Sequence, residues 1–175
     1  MNTTTDNAAT DNAPAVKAAF DGGKFLSFQL SREEYGIAIL KVREIIGMVE
    51  ITSLPRTPDF VRGVINLRGR IIPVIDLRRK FDMEPAETTA ETVIVVVDCG
   101  NGCDSSFRVG CVVDSVSEVL AIRAEDFEAP PRCANASGDY IDGLAKLKDR
   151  VLILLDIDKV IDDIDPSSLA PGAAQ

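Results

Sequence analysis

Apolar residues in this chain fall in short runs broken by glycine, proline and charge, and this spacing predicts strands rather than helices. Lys24–Leu30 (KFLSFQL) reads as a strand, Ser31–Glu34 as a turn, and Tyr35–Ile39 as the returning strand. Leu40, Val42, Ile45 and Ile46 follow with charges between them, and Lys41–Glu44 reads as a helical turn or a bent strand. Leu54-Pro55 and Thr57-Pro58 break the pattern, with one helical turn at Asp59–Val61. GVINLRGRIIPVIDL, Gly63–Leu77, reads as a hairpin. Val64 and Ile65 open the first strand, Asn66–Arg70 is the turn that displays Arg68, and Ile71–Ile75 returns. Pro73 inside that run predicts an edge strand or a bulge. Leu77–Phe81 reads as a short helical turn, and Glu84–Glu91 as a polar linker. Thr92–Val97 and Phe107–Val113 form the next strand pair, continued by Val116, Val119 and Leu120. A Pro/Gly/Ser-rich loop follows at Ala129–Asp139, then a hairpin of Ile141–Ala145 and Arg150–Leu155, then a closing helix at Asp158–Ile164.

The two halves of this pattern repeat. Tyr35-Gly36-Ile37 is echoed by Val109-Gly110-Cys111, and Val42 and Glu44 by Val116 and Glu118, all at an offset of 74. At an offset of 80, Gly63, Leu67, Arg70, Ile71 and Asp76 fall on Gly143, Leu147, Arg150, Val151 and Asp156. Leu26–Leu30 and Val93–Val97 match at an offset of 67. The offset changes where loops lengthen. One β unit of about five short strands used twice favours two small, nearly closed barrels. Residues 1–22 and 166–175 lack periodicity and are expected to be disordered tails around an ordered unit at 23–165, with halves near 23–83 and 91–160 and room for strands to be exchanged between them.

Composition agrees: 46% hydrophobic but 5% aromatic leaves a core of Val, Ile and Leu. A net charge of -9 argues against nucleic acid and anionic membranes as partners. Arg56, Arg62, Arg68, Arg70, Arg78 and Arg79 crowd one stretch, either as a local positive face or as a solvated strand rim. The chain has no histidine, which removes Ser-His and Cys-His catalysis, imidazole metal sites and phosphohistidine chemistry. No nucleotide-binding glycine motif and no nucleophile elbow is present, and Asp114, Glu118 and Asp156 assemble no acid/base pair. Asp76 and Asp156 stand at equivalent strand ends, which favours a structural role. Cys99, Cys103, Cys111 and Cys133 follow no signal peptide or membrane-length run, which predicts a cytosolic chain with reduced thiols. Cys99 and Cys103 flank a Gly-Asn-Gly loop at a spacing unlike a metal pair, and read as free thiols on a hairpin loop. No cofactor, metal or enzymatic activity is expected.

The blocks EYGIAILKVREI, LPRTPDFVRGVINLRGRIIPVIDLRRKF, VGCVVDSVSEVL and YIDGLAKLKDRVLILLDIDKV, in this order, resemble the bacterial chemotaxis coupling protein family CheW from about Lys24 to Ile161. The resemblance implies two SH3-like, five-stranded β-barrels with a shared hydrophobic seam and no catalysis. It implies a cytoplasmic adaptor that bridges the chemoreceptor tip to the regulatory domain of the histidine kinase CheA, or serves a parallel non-flagellar array. A receptor-facing groove between the barrels would use Val42, Glu44, Arg68 and Val119. Val42 and Val119 would offer apolar surface to a helical hairpin, Arg68 would fork onto a receptor carboxylate, and Glu44 would hold Arg68 in place or pair with a receptor cation. Kinase contacts would use exposed apolar residues at a barrel end, for which Met48, Ile51 and Leu54 are the candidates. The resemblance further implies rings in which the chain and the kinase domain alternate through barrel contacts; Glu128 and Cys133 stand where related proteins often carry a basic residue and an aromatic, which implies either a lost second-barrel contact or a different partner pairing. The free protein is expected to be a monomer.

Overall fold

The strands that read as unbroken apolar runs are those buried on both faces. In the computed structural model, which describes residues 21–99, 107–130 and 140–161, eleven strands make up two sheets. The first hairpin is β1 Gly23–Leu30 with β2 Glu33–Ala38; then come β3 Val42–Gly47, β4 Val61–Leu67 and β5 Arg70–Asp76. The second half supplies β6 Val93–Cys99, β7 Phe107–Val113, β8 Ser115–Ile122, the two-residue β9 Phe127–Glu128, β10 Ile141–Lys146 and β11 Val151–Leu155. Four-residue helices, Leu77–Lys80 and Ile157–Val160, follow β5 and β11. The fold is mostly β, as expected.

Sheet I runs β8-β1-β2-β11-β10-β9 and sheet II runs β3-β6-β7-β5-β4. The boundary between sequence halves is therefore not the boundary between sheets. Hairpin β1–β2 of the first half joins the strands of the second, and hairpin β6–β7 of the second joins the strands of the first. Sheet II has the expected five strands; β9 brings sheet I to six. Beyond β3 the chain turns back, and a Thr52–Val64 bridge ties it to β4, the other edge, which closes sheet II toward a barrel.

The duplication holds to the level of single backbone pairs. The parallel contacts Val74↔Gly110 and Leu154↔Gly36 are equivalent. So are the bulges at Val61/Gly63 and Ile141/Gly143. Asp76 and Asp156 each accept the backbone N–H two residues on and so cap the two helices. One register is corrected. Leu26 faces Ile37 and Val95 faces Cys111, so the first strands match at an offset of 69, not 67. A shift of two residues leaves every side chain on its own face, so the hydrophobic pattern alone did not distinguish the two registers.

Exchange of the hairpins explains the core. Leu26, Phe28, Leu30, Tyr35 and Ile37 pack with Val95, Val97, Val109, Cys111 and Val113 in a seam shared by both sheets. The alternate residues of the same strands fill the individual barrels: Phe25 with Leu152 and Leu154 in sheet I, and Ile94, Val96 and Val112 with Ile65 and Ile72 in sheet II. These hairpins separate two cores and bury both faces, so they read as runs; β3, with one face wet, alternates. Gly36 and Gly110 are equivalent, and a methyl on Gly110 would lie 2.7 Å from Ile94.

Two further expectations are revised. Pro73 is not on an edge, because β5 lies between β7 and β4. The β7 ladder starts only at Val74, so the residue without an N–H stands where β5 has no partner on that side. Cys99 is not in a loop: it ends β6, 1% exposed. Cys103, Cys133, the last residues of the expected closing helix, and all but Asp21 and Gly22 of the expected tails lie outside the described residues.

Candidate functional site

The hairpin β4–β5 turns in two residues, Arg68 and Gly69, with φ of 53° and 86°. Positive φ at both central positions is the turn that matches strand twist, and glycine is at ease there. Arginine is not; a left-handed backbone costs a side-chain-bearing residue about 1–2 kcal/mol. Asn66 Oδ1 accepts the Gly69 N–H at 2.9 Å and braces the turn. Arg68 is thereby thrown toward β3, where its guanidinium grips Glu44 with both arms, Nη1 to Oε2 at 2.6 Å and Nη2 to Oε1 at 2.7 Å. The Arg68 hydrogen bond holds the Glu44 carboxyl below its ordinary range against the effect of burial, helped by the charges of Arg68, Arg108 and Arg43.

Strand alternation collects the rest. Glu44 shares a face with Ile46, Asp98 with Val96, Arg108 with Gly110, and Arg70 with Ile72, all above the core of sheet II. The result is a charged mouth at one end of that barrel. Arg43 Nε lies 3.3 Å from Asp98 Oδ2 and Arg108 Nε lies 3.2 Å from Asp98 Oδ1, so two arginines share one carboxylate. Ile45 and Ile71, 42% and 47% exposed, give apolar surface to the other face of β3 and β5.

Of the four residues expected in the receptor groove, the structure brings Glu44 and Arg68 together. Val42 sits two residues earlier on β3, half-buried against the seam. Val119 is on β8 in the other sheet, opposite Leu26, and 48% exposed. Met48, Ile51 and Leu54 are half-buried rather than exposed, with Met48 and Ile51 packed against the sheet II core; Val49 between them is the exposed one. Glu128 is exposed on β9, its carboxylate 2.9 Å from Lys146 Nζ. The arginine-rich stretch does not form one face. Arg68 and Arg70 are at the hairpin tip, whereas Arg62 pairs with Asp76 and Arg78 with Asp114 at the other end of the strands. Arg43, Asp98 and Arg108 were missed by the sequence reading, although the duplication held the signal: they flank positions that it had already aligned.

The carboxylates that lacked sequence partners have structural ones. Asp114 accepts from Arg78 Nε at 2.8 Å and from the Ser31 N–H at 2.8 Å. Glu118 lies 3.4 Å from Arg150. Burial pushes the Cys99 thiol far up and the Cys111 thiol up to about 12, which favours the protonated form of both. An apolar cavity of about 130 Å³ opens at the seam beside Tyr35, Phe81, Met83 and Tyr140, with Lys80 Nζ over the rings of Phe60 and Tyr140. Among the described residues, no group of His, Cys, Asp and Glu is placed to hold a metal ion.

A family model described as a CheW-like domain matches residues 24–165. The chain belongs to the CheW-like family. It is 45% identical to the chemotaxis protein CheW of Klebsiella aerogenes over 141 residues, 80% of this chain and 82% of that one. It is 33% identical to the CheW of Thermotoga maritima over 139 residues, 79% and 87% of the two chains. The crystal structure of the scaffolding protein TtCheW from Thermoanaerobacter tengcongensis superposes with a TM-score of 0.73 at 34% identity, covering 82% of this chain and 94% of that one. The two sheets are thus the SH3-like barrels of a CheW scaffold, a non-catalytic chemotaxis adaptor. No helix among the described residues is long and apolar enough to cross a membrane.

Proposed function

We propose that this CheW-like chain couples the cytoplasmic tip of chemoreceptors to the histidine kinase CheA in membrane-associated arrays. The observation that carries the reading is the Glu44–Arg68 fork at the sheet II mouth. It combines a strained, exposed arginine with an ion pair that adds little to stability at 71% side-chain exposure of the arginine. Both features make sense if the pair serves a partner. A receptor tip is a helical hairpin, whose carboxylates and helix-end carbonyls suit a guanidinium fork and whose apolar stripe suits Val42 and the neighbouring Ile45. Val119, equivalent to Ile45 by the duplication, offers similar apolar surface on the second barrel. The kinase's regulatory domain would meet the other side of sheet II, where the Met48–Leu54 segment closes the barrel. The half-burial of Met48, Ile51 and Leu54 assigns them to shaping that segment, with Val49 as its exposed apolar contact. Contacts of this kind are transient and shared, and the free chain is a monomer on this reading.

The test is co-sedimentation with receptor-bearing membranes and kinase. The native chain should bring kinase down and raise its phosphorylation rate, and folded Arg68→Glu should do neither. If Arg68→Glu performs as well as the native chain, the receptor contact lies elsewhere.

A further inference from the structure

The duplication allows the sheet II mouth to be compared, residue by residue, with its counterpart in sheet I. Arg43, Glu44, Arg68, Arg70, Asp98 and Arg108 correspond through the observed registers to Ser117, Glu118, Lys148, Arg150, Gln29 and Glu34. Sheet II therefore sets four arginines against two carboxylates. Sheet I sets two cations against Glu118 and Glu34, with Asp149 in the place of Gly69. In sheet I one arginine serves both carboxylates: Arg150 Nε donates to the nearly buried Glu34 at 2.7 Å and its Nη2 lies 3.4 Å from Glu118, while Lys148 has no ion pair among the described residues. In sheet II the arginines outnumber the carboxylates. Arg43 and Arg108 divide Asp98 between them, Arg68 takes Glu44, and Arg70 has no ion pair among the described residues. A guanidinium has five donors in a planar fork, so each of these arginines keeps N–H groups to offer.

We propose that the sheet II mouth selects a partner helix with carboxylates beside its apolar stripe, and that Arg43, Arg70 and Arg108 are the selecting residues. The inference rests on the receptor-coupling reading, which it sharpens from a place of contact to a chemistry of contact. The net charge of -9 on the whole chain does not oppose it. Charges more than about 8 Å away are screened at physiological salt, whereas the mouth meets its partner at contact distance. Ile45 and Ile71 are next to Glu44 and Arg70 in the chain but on the other face of β3 and β5, where they stand exposed and offer apolar surface to the same partner.

Two synthetic helical hairpins test the selection, identical in their apolar stripe and flanked by glutamates in one and by glutamines in the other. By fluorescence anisotropy at low salt, the native chain should bind the glutamate hairpin about 10-fold more tightly, and the ratio should shrink in concentrated salt. The variant Arg43→Gln/Arg70→Gln/Arg108→Gln should bring the ratio close to one. Arg70→Gln alone, at an exposed position without an ion pair among the described residues, should remove part of it. Equal binding of the two hairpins by the native chain, binding of neither, or an unchanged ratio in the triple variant overturns the proposal. Receptor-bearing membranes separate it from the reading beneath it. If native chain and triple variant sediment alike at every salt concentration, selection fails and coupling stands. If the native chain ignores the membranes but keeps its preference for the glutamate hairpin, coupling fails and selection stands.

Discussion

The hairpins β4–β5 and β10–β11 are copies of one unit that have been given different tips. Both share the frame Leu-x-x-Arg, the same bulge at an equivalent glycine, and a capping aspartate at the far end. At Leu67–Arg70 the middle residues are Arg68 and Gly69, both with positive φ. At Leu147–Arg150 they are Lys148 and Asp149, neither with positive φ, and the turn closes by a Leu147 N–H to Arg150 carbonyl bond of 2.9 Å. One tip accepts backbone strain and holds its arginine over a charged mouth; the other relaxes and turns its arginine inward onto Glu34. On the proposed reading, one copy turns its charges inward while the other offers them to a partner.

The largest effects should come where the copies are alike. Gly63→Ala would place a methyl 2.0 Å from the Thr52 carbonyl oxygen at φ +143°, a backbone obstacle that cannot rotate away. It should lower stability by about 3 kcal/mol or more in denaturant unfolding. Its counterpart Gly143→Ala meets the Phe127 ring at 2.2 Å and the Glu128 carbonyl oxygen at 2.8 Å, a less severe backbone approach without positive φ, and should cost less, about 2 kcal/mol. Equal losses would show that the two bulges are not distinguished by what faces them. Next come the tips. Gly69→Ala at φ +86° should cost about 1 kcal/mol, whereas alanine at Asp149 should change little. Arg150→Met leaves the nearly buried Glu34 unpaired and should lower the thermal midpoint; Arg68→Met should lower it less, because Arg68 is 71% exposed and Glu44 is only part-buried.

A smaller effect depends on pH. Burial pushes the Asp114 carboxyl up, but the Arg78 hydrogen bond, the Ser31 N–H and the Arg78 charge together hold it below its ordinary 3.8. A depressed folded value means that the ion pair stabilises the fold above the unfolded value near 3.8 and is lost as pH falls through the folded one. Asp114→Asn should therefore be less stable at neutral pH and lose less on acidification below about pH 4. Smallest of all is thiol reactivity. Cys99 and Cys111 occupy the seam positions that Leu30 and Ile37 fill in the other copy, and they should resist alkylation in the native protein at pH 8.

Most of the scaffold was legible because its signals are local or repeated. The hairpin at Gly63–Leu77, the strand pair at Thr92–Val113 and a structural role for Asp76 and Asp156 followed from turn residues, β-branched runs and the offsets of 74 and 80. The sequence left room for exchange but did not say which hairpins move, because a strand buried on both faces reads the same whichever sheet receives it. Pro73 was misplaced for a related reason: its neighbour β7 comes from a distant part of the chain, and no local rule says where that ladder starts. At the site, Glu44 and Arg68 came from the family resemblance, and the fork between them from the chemistry of their side chains. Arg43, Asp98 and Arg108 escaped notice because they meet only when β3, β6 and β7 lie side by side.

The asymmetry of the two tips can be tested in one reconstitution. Kinase phosphorylation is followed with receptor-bearing membranes and either native chain, Arg68→Glu, or Lys148→Glu, the same charge reversal at the equivalent position of the other barrel. Arg68→Glu should abolish the activation and Lys148→Glu should leave it close to native. Equal loss in both, or full activation by Arg68→Glu, would contradict the assignment of the sheet II mouth as the surface through which this chain couples.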